Sequence, residues 1–434
     1  MQFKLAYGKT GLTITLPDAA NVTVVEPAFV AALPDQIGAV RDALRDPIGA
    51  QALRETVNAS DTVGIVFSDI TRPTPNHILL PALLAELDHV PDEQIVLFNA
   101  TGTHRPNTES ELRTMLGATL SGDAIVDRFR IVQNDANDRA SHELIGTTSR
   151  GNDVWLHREF LACAVQIPTG FIEPHFFAGY SGAGKAIMPG LALLETILRN
   201  HSAVNLDDPR TTWGHTTGNP LWEEVREVAQ MAAQSARVSF LLNVTLNRDK
   251  AITGVFAGAM DQAHAAGCAF VKDTAMVPVA EAFDMVITSN SGYPLDLNLY
   301  QTVKGMSAAA LVVKPGGTII AAADCWDGLP DHGEYAQLLH SADSPAALLE
   351  MVRAPGYQRQ DMWQGHIQAL VSQKAEVYVY SDHLTDAQLE AALLKPCRNI
   401  GALVADLLTR YGSDASICVL PEGPQTIPYL AEQA

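Results

Sequence analysis

The chain has 434 residues, of which 47% are hydrophobic and 18% are charged, and 49 acidic against 29 basic side chains give a net charge of -20. A surface of this sign repels nucleic acids and anionic lipids, so we expect neither as a partner. An anionic small substrate would need its own local group of Arg or Lys side chains.

The N-terminal segment, residues 1–17, alternates apolar and polar side chains as a strand does and lacks the pattern of a signal peptide. No run approaches the roughly eighteen apolar residues of a membrane span. The five cysteines lie far apart, which favours neither a disulfide framework nor a Cys-x-x-Cys metal site. We therefore expect a reduced, cytoplasmic protein with no membrane partner.

Short apolar runs alternate with helical patterns along the chain. In chain order, the predicted elements are a strand at 62–67, a helix at 77–87, a strand at 94–98, a helix at 108–116, long helices at 220–236 and 259–269, and strands at 285–288, 310–313 and 318–320. Thr108 followed by Glu111 matches a capping box. This alternation predicts an α/β fold with mainly parallel sheets.

We divide the chain into two α/β domains, an N-terminal one at 1–272 and a C-terminal one at 273–434. In parallel sheets, ligands bind beyond the carboxyl ends of the strands, where polar loops lie. The active site is therefore expected in the cleft between the two domains.

A glycine-rich segment, FIEPHFFAGYSGAGKAIMPG at 171–190, holds His175 and Lys185. Its glycines allow the backbone to approach a ligand closely. The part from Gly179 to Lys185 also matches the phosphate-binding loop of nucleotide hydrolases. That interpretation is disfavoured, because Ala186 has no hydroxyl for magnesium and Pro189 would interrupt the helix that must follow.

Two polar segments follow predicted strands. In the first, Asp69 can accept hydrogen bonds from sugar hydroxyls and Arg72 can bind a carboxylate or phosphate with its planar fork. A capped helix start with an exposed arginine explains the same residues equally well. In the second, His104 follows a Thr-Gly turn, a position where functional groups project from α/β sheets.

A third polar group lies further along the chain. Tyr300 and Lys304 are four residues apart, with Gln301 beside them, so a helix would present them within one turn. His201, flanked by polar residues, is by itself typical of a surface or capping residue. Trp363 could shape a pocket or pack in the core.

Five segments, taken in order, resemble the lactate racemase family: SDITRPTP, NATGTHRP, PHFFAGYSGAGKAIMPG, RNHSA and SGYPLDLNLYQTVKGM. The resemblance extends from the N-terminus to about residue 370. Ser68 stands where an acidic residue is common in the family, and a glycine is shifted to lie beside Lys185. Neither departure removes a group with a chemical role.

The resemblance implies a nickel pincer nucleotide, a pyridinium mononucleotide whose two sulfur-containing arms hold nickel. Lys185 would be linked covalently to one arm, and His201 would complete the planar coordination that suits Ni(II). The cofactor-binding residues implied are Asp69, Ile70, Thr71, Arg72, Lys185, Gln301 and Lys304. Enzymes that synthesise the cofactor would be partners.

The resemblance also implies a racemase that inverts C2 of a 2-hydroxy acid by hydride transfer, with His104 and His175 as its acid/base pair. We expect Arg72, Tyr300, Lys304 and Trp363 to bind the substrate. A lactate-like substrate is favoured, with a C2 epimerase of a larger hydroxy acid as the alternative. A non-catalytic protein that binds the nucleotide and nickel is a further alternative. An NAD-dependent dehydrogenase is disfavoured, because no G-x-G-x-x-G motif lies between a strand and a helix.

Overall fold

The computed structural model describes residues 1–330 and 333–431. Its strands are β1 (Gln2–Leu5), β2 (Leu12–Thr15), β3 (Asn21–Val24), β4 (Val63–Ser68), β5 (Ile95–Ala100), β6 (Arg130–Gln133), β7 (His142–Thr147), β8 (Asp153–His157), β9 (Val165–Phe171), β10 (Pro174–His175), β11 (Gly179–Tyr180), β12 (Val238–Ser239), β13 (Leu241–Leu246), β14 (Ile252–Gly258), β15 (Met276–Val279), β16 (Phe283–Ser289), β17 (Val313–Ala322), β18 (Glu376–Tyr380), β19 (Lys395–Cys397), β20 (Ser416–Leu420) and β21 (Ile427–Leu430).

The helices alternate with these strands as the sequence predicts. They are α1 (Gln36–Arg45), α2 (Leu53–Thr56), α3 (Asn76–Glu86), α4 (Glu109–Leu116), α5 (Ile125–Arg128), α6 (Arg158–Leu161), α7 (Leu194–Asn200), α8 (Ala203–Leu206), α9 (Pro220–Ala233), α10 (Met260–Ala275), α11 (Leu299–Ala310), α12 (Tyr335–His340), α13 (Pro345–Val352), α14 (Met362–Lys374), α15 (Asp386–Ala391) and α16 (Ile400–Tyr411). Among the residues that the structure describes, no helix combines the length and apolar character needed to cross a lipid bilayer.

The chain forms two compact units. The central unit comprises Phe29–His201 and Arg210–Asp273, and the terminal unit comprises Met1–Ala28, Ser202–Pro209 and the described residues from Thr274 onward. The main sheet of the central unit has the order β14-β13-β9-β4-β5-β6, with β12 also paired to β9. All of its pairings are parallel except β13 with β14.

The main sheet of the terminal unit has the order β19-β18-β17-β16-β20-β3, and each of these pairings is parallel. Strands β4 and β9 at the middle of the central sheet are buried almost throughout, as expected where both faces of a parallel sheet are covered. The predicted α/β class with two mainly parallel sheets is thus confirmed.

The local signals in the sequence placed most elements well. The predicted helices at 77–87 and 108–116 are confirmed to within one residue, and Thr108 and Glu111 form the expected capping box. Asn219 caps α9, which ends three residues before the predicted limit. Helix α10 begins at 260 and runs six residues past the predicted end.

Two expectations need correction. The predicted strand at 310–313 is wrong, because α11 extends to Ala310 and a single strand, β17, runs through the supposed turn at 314–317. The N-terminal 28 residues also belong with the C-terminal part of the chain, since β3 pairs with β20 at the edge of the terminal sheet. The division into 1–272 and 273–434 therefore differs from the units observed.

Candidate active site

Three of the segments singled out in the sequence follow neighbouring strands of the central sheet. Asp69 comes directly after β4, His104 follows β5, and His175 follows β9. The order β9-β4-β5 is parallel throughout, so the carboxyl ends of these strands share one edge of the sheet. This is the edge at which α/β proteins bind ligands.

Asp69 and His104 are hydrogen bonded. The Nδ1 atom of His104 lies 2.6 Å from Oδ2 of Asp69, whose side chain is only 3% exposed, while the imidazole is 32% exposed. Burial would raise the pKa of the Asp69 carboxyl, but the hydrogen bond and charge of His104, together with the charge of Arg72, offset this and hold the pKa below its usual value. The carboxylate is therefore ionised and accepts the Nδ1 proton.

The neighbouring residues extend this pair into a chain of hydrogen bonds. Arg72 donates to the hydroxyl of Thr71 at 3.1 Å, and that hydroxyl donates to Oδ1 of Asp69 at 2.8 Å. The structure thus brings Asp69, Thr71, Arg72 and His104 together. The side chain of Ile70, in contrast, is 41% exposed.

The glycine-rich segment is a tightly held loop. Strands β10 and β11 pair antiparallel, and Lys185 lies in a short 3₁₀ turn, Ala183–Ala186. Gly182 has a φ of +87° and a Cβ there would lie 2.5 Å from Oδ1 of Asn243, so no other residue fits. The next α-helix begins only at Leu194, which supports the rejection of a phosphate-binding loop.

Asn243 holds this loop from the adjacent strand. It is buried in β13, and its Oδ1 accepts a hydrogen bond of 2.8 Å from the backbone N–H of Ala183. His264, on α10, also lies with Nε2 2.8 Å from the carbonyl oxygen of Ser181. The backbone that carries Lys185 is therefore fixed from two elements.

The ring of Phe177 joins the three remaining groups of the central unit. It lies 4.5 Å from the ring of His175 and 5.2 Å from the ring of His201, measured between centroids, and 5.5 Å from Nζ of Lys185. Phe177 itself is only 4% exposed. Lys185 and His201, sixteen residues apart in sequence, thus contact one aromatic side chain.

His201 is a buried imidazole at the C-terminal end of α7. Its Nδ1 lies 3.1 Å from the carbonyl oxygen of Ile197, one turn earlier, and donates to it, so the neutral ring carries its lone pair on Nε2. Burial, reinforced by the positive charge of Lys185, lowers the pKa of His201 to about 3. The ring is therefore neutral at pH 7, as a metal ligand must be.

His175 is held differently from His104. Its Nδ1 accepts a hydrogen bond from the backbone N–H of Ala178 at 3.2 Å and a longer one from Phe177 at 3.5 Å. A ring nitrogen that accepts hydrogen bonds carries no proton. The neutral His175 therefore carries its proton on Nε2.

The remaining predicted residues lie in the terminal unit. Tyr300, Gln301 and Lys304 occupy the N-terminal part of α11, beyond the carboxyl end of β16. The indole N–H of Trp363 donates to the hydroxyl of Tyr300 at 2.9 Å. The structure thus joins Tyr300 with Trp363, whereas their predicted contact with substrate stays a prediction.

Sequence reasoning missed Phe177, Asn243 and His264. Asn243 had a usable signal, because it is a lone amide inside the apolar strand LLNVTL, and a buried amide needs partners. Phe177 had none, since an aromatic residue in a glycine-rich segment is typical of ordinary packing.

The two mainly parallel sheets define an α/β protein, with the Asp69–His104 pair and the segment that bears His175 and Lys185 at the carboxyl edge of the central sheet. The comparisons identify its family. The model of the lactate racemase N-terminal domain matches residues 7–214, and that of the lactate racemase C-terminal domain matches residues 279–427. The chain belongs to the lactate racemase family and is an isomerase of that family.

Individual relatives agree with this assignment. The chain is 36% identical over 386 residues to a lactate racemase of Lactiplantibacillus plantarum, covering 88% of this chain and 89% of the relative. It is 32% identical over 430 residues to a lactate racemase of Thermoanaerobacterium thermosaccharolyticum, covering 98% of each.

Solved structures show the same fold. The lactate racemase apoprotein from Thermoanaerobacterium thermosaccharolyticum superposes with a TM-score of 0.89 at 30% identity, covering 99% of this chain and 100% of that one. A Thermotoga maritima protein shares the fold with a TM-score of 0.69 at 16% identity, over 93% of this chain and 100% of that one.

Proposed function

We propose that this protein inverts the C2 centre of a 2-hydroxy acid, with a lactate-like acid as the favoured substrate. The observation that carries the proposal is the Asp69–His104 pair, which lies at the same sheet edge as the segment that bears His175. An enzyme that accepts both enantiomers needs a proton acceptor for the hydroxyl in each binding pose, and imidazoles titrate in the appropriate range.

The central unit fits the cofactor that the family implies. A nickel pincer nucleotide needs an amine for its covalent link and a neutral nitrogen ligand for the metal. Lys185 offers the amine and His201 the nitrogen, and both side chains contact Phe177. Among the described residues no three His, Cys, Asp or Glu side chains cluster to hold a metal ion. The proposed arrangement uses a single protein ligand, the Nε2 atom of His201.

When bound, this cofactor supplies reversible uptake of the C2 hydrogen as hydride. The protein contributes orientation and proton transfer. Nε2 of His104 accepts the hydroxyl proton, and the Asp69 carboxylate stabilises the imidazolium that results. Asp69, Ile70, Thr71 and Arg72 would hold the nucleotide.

Positive side chains would bind the substrate carboxylate, which the net charge of -20 would otherwise repel. Arg72 is the candidate beside His104, and Lys304 is the candidate on α11, where Gln301 would also contact the cofactor. We assign Tyr300 and Trp363 to the substrate pocket, where the hydrogen bond between them would hold the phenol ring in one orientation.

The test is inversion of pure enantiomers by protein expressed beside the cofactor-synthesis enzymes. Each of a panel of 2-hydroxy acids, from lactate to sugar acids, is followed by chiral chromatography. Inversion of lactate with the highest kcat/KM is the expected result. A higher value for a sugar acid would replace lactate by the larger substrate, and no inversion of any acid would refute the proposal.

Intact-protein mass and nickel content separate catalysis from mere cofactor binding. Lys185→Ala should lose the covalent adduct and all turnover, because no amine remains for the link. His104→Gln should keep the adduct and the nickel while losing turnover. Adduct and nickel in wild-type protein without inversion would instead identify a non-catalytic binding protein.

A further inference from the structure

We propose that Asp69 is a positioning residue that fixes His104 with its proton on Nδ1, so that His104 and His175 rest in opposite tautomers. The catalytic meaning of this arrangement rests on the function proposed above, whereas the tautomers themselves do not. On this proposal the main role of Asp69 is to orient His104, rather than to contact the nucleotide directly.

The hydrogen bonds around Asp69 have only one consistent direction. Arg72 can only donate, so the Thr71 oxygen accepts from it and turns its hydrogen to Oδ1 of Asp69 at 2.8 Å. The same oxygen lies 3.3 Å from Nδ1 of His104, where with its hydrogen so turned it can only accept. Oδ2 then faces Nδ1 of His104 at 2.6 Å, and an ionised carboxylate can only accept. The proton of the neutral imidazole is thereby placed on Nδ1.

Burial makes this placement strong. The carboxyl group of Asp69 is 3% exposed, so water competes little for its oxygens, and a charge-assisted hydrogen bond gains strength in such surroundings. The ring of His104 is 32% exposed. Asp69 thus leaves Nε2 as the hydrogen-bond acceptor of His104.

Backbone hydrogen bonds favour the opposite tautomer of His175. The N–H groups of Ala178 and Phe177 point at its Nδ1, and a peptide N–H can only donate. Its proton therefore rests on Nε2. In its neutral form His104 offers a proton acceptor at Nε2, while neutral His175 offers a donor at the same ring position.

This asymmetry assigns different tasks to the two imidazoles before substrate binds. His104 can take a hydroxyl proton directly, with the new imidazolium paired to Asp69. For His175 to take one at Nε2, its proton there must first be lost or its contact with Ala178 must change. The resting protein is thus prepared for the enantiomer whose hydroxyl faces His104.

Asp69→Asn tests the assignment with almost no change in side-chain size. The Thr71 hydroxyl would still donate to the amide oxygen, which turns the amide NH₂ toward Nδ1 of His104. We expect the His104 proton to move to Nε2 and kcat to fall about 10³- to 10⁴-fold, the size of effect seen when a carboxylate that orients a catalytic histidine becomes an amide. KM should change little.

The readout is the pair of ring nitrogen shifts of His104 in ¹⁵N-histidine-labelled full-length protein, assigned with a His104→Gln spectrum. Two-bond proton–nitrogen correlations distinguish a protonated ring nitrogen from an unprotonated one. Asp61→Asn is the matched control, because Asp61 is a buried carboxylate of the same unit that pairs with Arg237. It should leave both the His104 tautomer and kcat unchanged.

The tautomer measurement can fail or succeed independently of the racemase assay. A wild-type spectrum with the His104 proton on Nε2 overturns the inference, and this measurement needs no variant of Asp69. An unchanged tautomer in a folded Asp69→Asn protein overturns it as well. A tautomer switch in a protein that inverts no hydroxy acid would support the role of Asp69 while removing the racemase proposal.

Discussion

The ring of Phe177 meets the imidazole of His201 edge-on, with 5.2 Å between the ring centroids and 82° between the ring planes. The same ring contacts His175 and lies near the ammonium group of Lys185. One buried side chain therefore packs against the proposed site of the covalent link, the proposed metal ligand and one proposed acid/base group.

Phe177→Ala should remove the packing that His175, Lys185 and His201 share. Truncating a buried phenylalanine costs about 3–5 kcal/mol of unfolding free energy, because a cavity remains. We also expect the nickel content to fall, since His201 and Lys185 lose their common support. Urea unfolding and metal analysis of purified protein would measure the two effects.

Phe160→Ala is the control for the loss of packing alone. Phe160 is fully buried in the central unit and contacts Phe98 rather than the proposed site. It should lose similar stability while keeping its nickel at a temperature where it remains folded. Equal nickel loss in the two variants would contradict the role assigned to Phe177.

Asn243→Ala should loosen the lysine loop. The substitution leaves the buried N–H of Ala183 without its acceptor, which costs about 1–3 kcal/mol. We expect a smaller fraction of protein to carry the adduct on Lys185 after expression beside the cofactor-synthesis enzymes. Intact-protein mass gives that fraction directly.

Asn399→Ala controls for destabilisation of the same order. Asn399 caps α16 in the terminal unit, and the loss of such a cap costs about 1 kcal/mol. The adduct fraction should remain that of the wild type. Full adduct formation by Asn243→Ala would show that the loop does not depend on this hydrogen bond.

The sequence predicted what depends on local patterns. Thr108 and Glu111, three residues apart, predict the start of a helix, and the structure contains the capping box that they form. Asp69 and His104 could be placed at one sheet edge, because each follows a buried strand. Their hydrogen bond could not be predicted, since it depends on the exact loop geometry between residues 35 apart in sequence.

Non-local pairing explains the errors. Lys314 to Gly317 has the composition of a turn, but the segment is part of β17, where residues 314–316 are exposed and the pairing with β16 shifts register. Strand β3 joins β20 from almost the opposite end of the chain. No local sequence pattern in residues 314–317 or in β3 indicates the strand with which each segment is associated.

Trp363→Phe should weaken substrate binding more than chemistry. The phenylalanine ring keeps most of the packing but loses the N–H that fixes the Tyr300 hydroxyl at 2.9 Å. A hydrogen bond of this kind contributes about 0.5–1.5 kcal/mol, so we expect KM to rise about 2- to 10-fold with kcat nearly unchanged. Initial rates of inversion over a range of substrate concentrations measure both constants.

Trp326→Phe is the comparison, since Trp326 is half exposed and its ring lies tilted beside that of Tyr293, with 6.4 Å between centroids. Its KM for a lactate-sized acid should match the wild type. If neither Trp363→Phe nor Tyr300→Phe changed KM, the assignment of this pair to the substrate pocket would be wrong.

His157 should make the protein sensitive to mild acid. The imidazole is 4% exposed, and burial, aided by the neighbouring His142, lowers its pKa from about 6.5 to about 4. Between these two values the unfolded chain binds more protons than the folded protein, so stability rises with pH there. The contribution of neutral His157 to the free energy of unfolding is fully present above about pH 6.5. About 3 kcal/mol of that free energy is lost as the pH falls toward 4.

His157→Phe should flatten this part of the stability curve. A phenyl ring has a similar shape and could pack against Phe98, which now lies 5.6 Å from the imidazole between centroids. Urea unfolding at several pH values from 4 to 8 measures the difference between the two proteins. Because the variant has no group to protonate at this position, its stability should fall less than that of the wild type below pH 6.5, and parallel curves would show that His157 does not carry the acid sensitivity.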